Sequence, residues 1–254
     1  MIQKMETSFF ITARLKSTRL PKKILLKVVG KPLIVLMLDR IKHATCIDKI
    51  VICTSTNPQD DPLEGIAAQE NVCCFRGSEE DVLVRLLEAA QSYGLEHFAN
   101  ITADCPMMDP KLIDRAVIQY QKSDADLLKY DDSNDDLPFN CYLIKMSALE
   151  KVCLKKNETD TEVWLKHFTS NPDLNIHTID VEDEYRHSTL KTSLDYPEDY
   201  KFIKRVFAEL YQPNTVFSIL DIINLVKKRA DIMNINANPE KIRRWRNHQH
   251  IVAS

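Results

Sequence analysis

The chain has 254 residues, a formal net charge of −3 at pH 7, 44% hydrophobic residues and 28% charged residues. That length and balance suit a sizeable globular core, and the near-neutral charge argues against a general nucleic-acid binder, which is usually basic overall. Seven cysteines without a C-x-x-C pair sit mostly in apolar runs and read as reduced thiols of a cytoplasmic protein, not as a disulfide framework or a zinc site.

Residues 9–12 (FFIT) predict a strand, followed by a loop over 13–23 that carries Arg14, Lys16, Arg19, Lys22 and Lys23. No Asp or Glu occurs from Thr7 to Leu38. Residues 32–44 predict a helix with Leu33, Leu36, Met37, Ile41 and Ala44 on one stripe. A buried strand over 49–54 (KIVICT), a helix over 58–70 and a short strand over 72–75 follow. The spacing then predicts a helix over 79–93, facing inward through Val82, Leu83, Leu86, Ala90 and Tyr93. A strand over 97–102 (HFANIT) runs into ADCPMMDP and a helix over 111–121. Such alternation predicts an α/β sandwich on a mostly parallel sheet, whose ligands bind beyond the carboxyl ends of the strands.

After residue 130 the rhythm changes. The acidic stretch DDSNDDLP precedes a strand over 140–145, a helix over 159–168 and strands over 176–181 and 189–194. We read 130–190 as a small β-rich insertion in a single domain spanning 1–254. Asp195 ends a strand and Pro197 opens a helix. A further amphipathic helix covers 218–229, within a C-terminal helical extension over 211–254. The terminal KIRRWR reads as a solvated basic run, not a nucleic-acid site. The polar start predicts no secretory leader, and no stretch approaches the ~20 apolar residues of a membrane span.

Four features carry candidate chemistry. The loop 13–23 offers Arg forks for bidentate contact with phosphate oxygens and compact Lys charges, with Ser17, Thr18 and backbone amides as further donors. Charge alone fits a solvated basic turn equally well; the place after the first strand favours a polyphosphate. Asp104 in TADCPMMDP reads either as a cap or Asx turn or as a carboxylate for Mg2+, which favours one or two carboxylates plus phosphate oxygens. Asp195 in SLDYPEDY has the same two readings, whereas Asp109 is the expected N-cap of the helix at Pro110. In RGSEEDVLVR, Ser78 and Asp81 predict a capping box, and Arg85 stands four residues beyond Asp81 as an i,i+4 partner. The alternative use of that helix start is reading a nucleobase edge.

In this order, these segments resemble the cytidylyltransferases of the spore-coat-polysaccharide type, a family related to the CMP-sugar synthetases for ulosonic and sialic acids. The family's A-R-x-x-S-T-R-L-P-x-K corresponds to residues 13–23, R-G-S-x-x-D-V-L-x-R to 76–85, T-x-D-C-P-x-x-D-P to 102–110 and D-x-P-E-D to 195–199. The resemblance implies a three-layer α/β/α nucleotidyltransferase fold, similar to the glycosyltransferase-A sheet, often assembled as a homodimer. It implies catalysis by Arg14 and Lys23 on the CTP phosphates, with Ala13, Ser17 and Arg19 completing the loop. It further implies Thr54, Ser78, Asp81 and Arg85 around base and ribose, and Asp104 and Asp195 on Mg2+. Two departures stand out: Lys16 and Lys22 replace the usual loop glycines, and LPFNCYLI and TDTEVWLKHF replace the family's usual acceptor segments.

The reaction so implied is transfer of CMP from CTP to a small acidic acceptor, either a sugar acid or a phosphorylated or phosphonate compound, for surface glycan synthesis. Lys129, Lys145, Lys166, His167, Arg186 and His187 are available to meet the acceptor's charge, and the sequence does not choose among them. A glycosyltransferase using a nucleotide sugar is the rival reading, although its D-x-D is missing at Asp104. A catalytically silent nucleotide-binding subunit is the third.

Overall fold

The structure is a computed structural model that describes residues 6–134 and 137–237. Its strands are β1 (Ser8–Thr12), β2 (Lys27–Val28), β3 (Lys31–Pro32), β4 (Lys49–Ser55), β5 (Cys73–Gly77), β6 (His97–Thr102), β7 (Leu127–Tyr130), β8 (Tyr142–Lys145) and β9 (Ile176–Ile179). The helices are α1 (Leu33–Ile41), α2 (Asp61–Gln69), α3 (Val82–Ser92), α4 (Pro110–Tyr120), α5 (Met146–Lys155), α6 (Lys166–Thr169), α7 (Pro197–Leu210), α8 (Ile219–Lys228) and α9 (Ala230–Met233). A seven-stranded sheet runs in the order β5-β4-β1-β6-β8-β7-β9, and β2 with β3 forms a separate hairpin. β1, β4, β5 and β6 are mutually parallel, β8 runs antiparallel between β6 and β7, and β9 is parallel to β7.

Alternation along β1 explains the three layers. Phe9 and Ile11 point into a core shared with residues of α1, α2, α4, α7 and α8. Phe10 points the other way, into a core with residues of α3, α5 and α6. There it stacks on Phe98 at 4.5 Å between ring centroids, an aromatic contact of about 0.5–1.5 kcal/mol beyond its buried area. Continuous apolar runs such as KIVICT are what strands covered on both faces require.

Because β7 and β9 run in the same direction as β6, their carboxyl ends share its edge with β1 and β4. The segments after Tyr130 and Ile179 therefore arrive where the basic loop stands. The stretch 130–190 supplies β8 and β9 to the main sheet and also carries α5, a helix not expected from the sequence. The helix expected over 159–168 is reduced to the single turn α6, and 189–194 forms no strand. In the latter segment the backbone crosses the sheet edge: Leu194 N–H donates to Asp104 O at 2.8 Å, and Thr192 Oγ1 donates to Pro138 O. The strand β7 and the β2–β3 hairpin were also not expected. The KIRRWR run lies outside the described residues.

Arg40 secures this architecture around the site. Its buried guanidinium donates to the carbonyls of Met107, Met108 and Phe217 at 2.8–3.2 Å and lies 4.2 Å above the Phe217 ring. Burial lowers its pKa to about 10. The contact fixes the turn that follows Asp104 against α1. All seven cysteines are free thiols. No helix among the described residues is long and apolar enough to cross a membrane.

Candidate active site

The basic loop is tied down before it can hold anything. Ala13 is buried and its N–H donates to Cys53 O at 3.1 Å. Leu15 N–H donates to Asp60 Oδ1 at 2.7 Å, and Asp60 is itself fully buried and accepts from Ser55 Oγ. Ser17 Oγ accepts from Leu20 N–H at 3.3 Å, closing the turn that presents Arg19. Lys22 adopts φ 53°, a left-handed conformation that glycine takes without steric cost. This is one of the two loop positions where the resembling family has glycine.

Arg14, Lys16, Arg19 and Lys23 each already meet a carboxylate. Arg14 donates to Glu79 O at 2.6 Å and pairs with Glu162 at 3.3 Å. Lys16 pairs with Glu80 at 2.8 Å and Glu79 at 3.4 Å. Arg19 pairs with Asp195 Oδ1 at 3.1 Å and stacks over the Tyr196 ring at 5.1 Å. Lys23 lies between two aspartates, 3.0 Å from Asp104 Oδ2 and 3.2 Å from Asp195 Oδ1. Burial opposes the Lys23 charge, but attraction from Asp104 and Asp195 outweighs it and raises the ammonium pKa. Burial likewise opposes the Asp195 charge; Lys191, Lys23 and Arg19 overcome it and hold the carboxyl at about 2.

Two capping readings from the sequence are thereby decided. Asp109 caps α4, accepting from Lys111 N–H at 3.0 Å. Asp195 caps nothing: Tyr196 is the N-cap of α7, and Asp199 supplies the carboxylate of its capping box. Asp195 is left facing the loop cations. Asp104 accepts locally from Thr102 Oγ1 with Oδ1 and meets Lys23 with Oδ2.

The other wall comes from β4, β5 and the start of α3. Asp81, not Ser78, is the N-cap of α3, accepting from Val84 N–H at 3.1 Å. Ser78 Oγ accepts from Asp81 N–H at 3.1 Å one turn earlier. The carboxylate of Asp81 also accepts from Thr161 Oγ1 at 2.9 Å and pairs with Lys156. Arg85 does not form the surface pair with Asp81 expected from the sequence. It is fully buried, and its Nη1 donates to the carbonyls of Ser78 and Glu79. Burial, then the Arg14 charge, lowers its pKa to about 10. Arg85 Nε, Arg85 Nη2 and the buried Thr54 hydroxyl have no hydrogen-bond partner among the described residues. Leaving such groups unpaired costs about 1–3 kcal/mol each, which a polar ligand could offset.

Sequence reasoning brought Arg14, Arg19, Lys23, Asp104 and Asp195 to one edge, and the tertiary structure joins Arg19, Lys23, Asp104 and Asp195 there in direct contact. Arg14 stands on the neighbouring wall, against Glu79 and Glu162. The sequence reading missed Asp60, Glu162, Lys191 and Asp199. Asp199 was legible as the third residue of a Pro-initiated helix, and Lys191 as an i,i−4 partner of Asp195. Glu162 carried no local signal: its pairing with Arg14 arises from the 156–165 segment packing on α3, where Leu83 N–H donates to Thr161 Oγ1 at 3.1 Å.

Comparison with known proteins meets this geometry from the other side. A family model described as cytidylyltransferase matches residues 9–250. The spore coat polysaccharide biosynthesis protein SpsF of Bacillus subtilis is 25% identical over 232 residues, covering 88% of this chain and 95% of that protein. A 3-deoxy-manno-octulosonate cytidylyltransferase of Chlorobium phaeobacteroides is 34% identical over 125 residues, 47% of this chain and 48% of its own length. A solved cytidylyltransferase structure from Leptospira borgpetersenii superposes with a TM-score of 0.81 at 27% identity, covering 90% of this chain and 97% of that one. A match that runs from the first strand past the last described helix leads to one conclusion: the chain belongs to the cytidylyltransferase family.

Proposed function

We propose that this protein transfers CMP from CTP to an oxygen of a small acidic acceptor, releasing pyrophosphate, with Mg2+ held by Asp104 and Asp195. The observation that carries this reading is the Lys23 ammonium, 3.0 and 3.2 Å from oxygens of those two aspartates. Two carboxylates converging on one cation suit Mg2+, which takes one or two carboxylates and completes its shell with water and phosphate oxygens. No group of three His, Cys, Asp or Glu among the described residues could hold a metal unaided, which is consistent with a site completed by substrate. When bound, the ion would neutralise triphosphate charge and orient the α-phosphate.

The chain's own residues supply positioning and charge. Attack of the acceptor oxygen on the α-phosphorus breaks the bond to the bridging oxygen; pyrophosphate departs with the negative charge, and a hydroxyl acceptor loses its proton to solvent. Arg14, Lys16, Arg19 and Lys23 stand where that charge accumulates. To engage a triphosphate, Arg14 exchanges Glu162 for phosphate, and Lys23 yields its place between the aspartates. Thr54 and Arg85 offer the unspent hydrogen-bonding capacity for the cytosine edge.

On the acceptor side, topology narrows the six basic candidates. Lys145 pairs in register with His97, at the opposite edge of the sheet from Thr102. Lys166 and His167 are both engaged by Glu158, as Arg186 is by Asp180 at 2.7 Å. Lys129 stands near the carboxyl end of β7, and Arg186 and His187 follow β9 on the site's own edge. The name of one relative, a 3-deoxy-manno-octulosonate cytidylyltransferase, favours a sugar acid.

The test is incubation with each of the four nucleoside triphosphates, Mg2+ and a panel of acidic sugars and phosphonates, read by pyrophosphate release and by mass. A CMP adduct formed with CTP and one acceptor class is expected. Turnover of a nucleotide sugar instead, or pyrophosphate release with no preference for CTP, overturns the reading.

A further inference from the structure

Behind Asp195 lies a second buried ion cluster that the proposed reaction does not use. Lys191 is 3% exposed. Its ammonium donates to Ser193 O at 3.1 Å and to the carboxylate of Asp199, and forms an ion pair with Asp195 Oδ2 at 3.1 Å. Asp199 Oδ2 in turn accepts the backbone N–H groups of Asp195 and Tyr196, both at 2.9 Å. Asn236, from the segment after α9, donates to Asp199 Oδ1 at 3.1 Å and to Lys191 O at 3.0 Å.

The division of labour within Asp195 is the informative feature. Oδ2 faces inward to Lys191, while Oδ1 faces outward to Lys23 and Arg19. The outward partners belong to the loop that must rearrange around a triphosphate; the inward partner does not. We propose that Lys191 is a positioning residue that pins Asp195, holding Oδ1 toward the nucleotide when Lys23 leaves it. Asp199 plays a supporting part, fixing the backbone on which Asp195 is mounted. A lysine in the interior is expensive unless fully paired, so a purely structural staple at this place would more cheaply be apolar. The inference deepens the proposed function and rests on Asp195 acting there.

The experiment uses the full chain as Lys191→Met, Lys191→Met/Asp199→Asn and Asp195→Asn. The double variant removes one buried charge of each sign, and the amide oxygen it introduces at position 199 still accepts the two backbone N–H groups. It therefore keeps the question open should Lys191→Met fail to fold. Mn2+ binding is followed by electron paramagnetic resonance in the presence of a non-hydrolysable CTP analogue, alongside kcat, KM and analogue affinity. Outer partners of metal ligands typically change metal affinity or activity by about 10–100-fold. A loss of that size in Mn2+ affinity and kcat, with KM and analogue affinity near wild type, is expected for the folded Lys191 variants. Wild-type Mn2+ affinity and kcat in those variants, while Asp195→Asn loses both, overturns the role of Lys191 and leaves the proposed function standing. Full Mn2+ affinity and turnover in Asp195→Asn overturns both together.

Discussion

Lys23 and Asp195, 172 residues apart in the chain, stand 3.2 Å from each other, with Asp104 on the far side of the same ammonium at 3.0 Å. The ammonium thus meets both carboxylates that, under the proposed function, would hold Mg2+. Cation and carboxylates hold one another in the free protein, so the proposed function makes substrate binding an exchange of partners in place of the assembly of a site.

Lys23→Ala is expected to lower kcat by about 10²–10³-fold, the usual effect of removing one charge-stabilising donor. It also removes the cation of Asp104, whereas Asp195 keeps Lys191 and Arg19, so the fold is destabilised by at most roughly 3–5 kcal/mol. Mg2+ without nucleotide should therefore raise the melting temperature of this variant more than that of the wild type. Equal responses in a thermal-shift titration would show that the two aspartates do not converge on a cation.

Glu162→Gln frees Arg14 from its carboxylate without touching the phosphate loop. The pair is exposed on the Glu162 side, so it is worth about 0.2–1 kcal/mol. Affinity for CTP should rise about two- to fivefold, with kcat little changed. Calorimetric titration with CTP checks this; unchanged or weaker binding would mean that Glu162 does not compete with phosphate.

Thr54→Val removes a buried hydroxyl that has no partner among the described residues. Stability should hold or improve, since nothing is left unpaired by the change. If the hydroxyl meets the base, KM for CTP should rise by about two- to tenfold, corresponding to one hydrogen bond. An unaltered KM would remove Thr54 from recognition.

Lys22→Gly relaxes a residue held at φ 53°. The left-handed penalty for a side-chain-bearing residue, offset by glycine's greater chain entropy, leaves a gain of up to about 1 kcal/mol. That corresponds to about 2–4 °C in Tm for a chain of this size. A fall in Tm would mean that the lysine makes contacts worth more than its strain.

The pH dependence of the free protein follows from Asp195. Its carboxyl is held at about 2, below the ordinary 3.8, because Lys191, Lys23 and Arg19 overcome the opposing effect of burial. A carboxylate held low contributes stability that is present above its unfolded pKa and is lost as pH falls through the folded one. Denaturation midpoints should therefore be insensitive to this group above about pH 4 and fall toward about pH 2, with a shallower fall in Asp195→Asn. Identical acid profiles would contradict the depressed carboxyl.

The parallel half of the sheet was legible because its strands are covered on both faces, which forces apolar runs such as KIVICT and FFIT between amphipathic helices. The loop 13–23 was legible because charge without counter-charge is rare within a stretch of 32 residues from Thr7 to Leu38. After Tyr130 that clarity fades. Strand β7, four residues long, is too short for a period to declare itself, whereas β8 and β9 fall inside the strands expected over 140–145 and 176–181. Residues 189–194 have the composition of a strand, yet they cross the sheet edge to deliver Lys191.

The sequence by itself determined which side chains carry charge and on which strand ends they sit, since periodicity and local spacing act over only a few residues. Pairing was another matter. That Glu162 answers Arg14 and that Asp195 meets Lys23 were decided only when segments 148 and 172 residues apart packed at one edge. Electrostatic partnership depends on distance through space, and only the folded chain defines that distance.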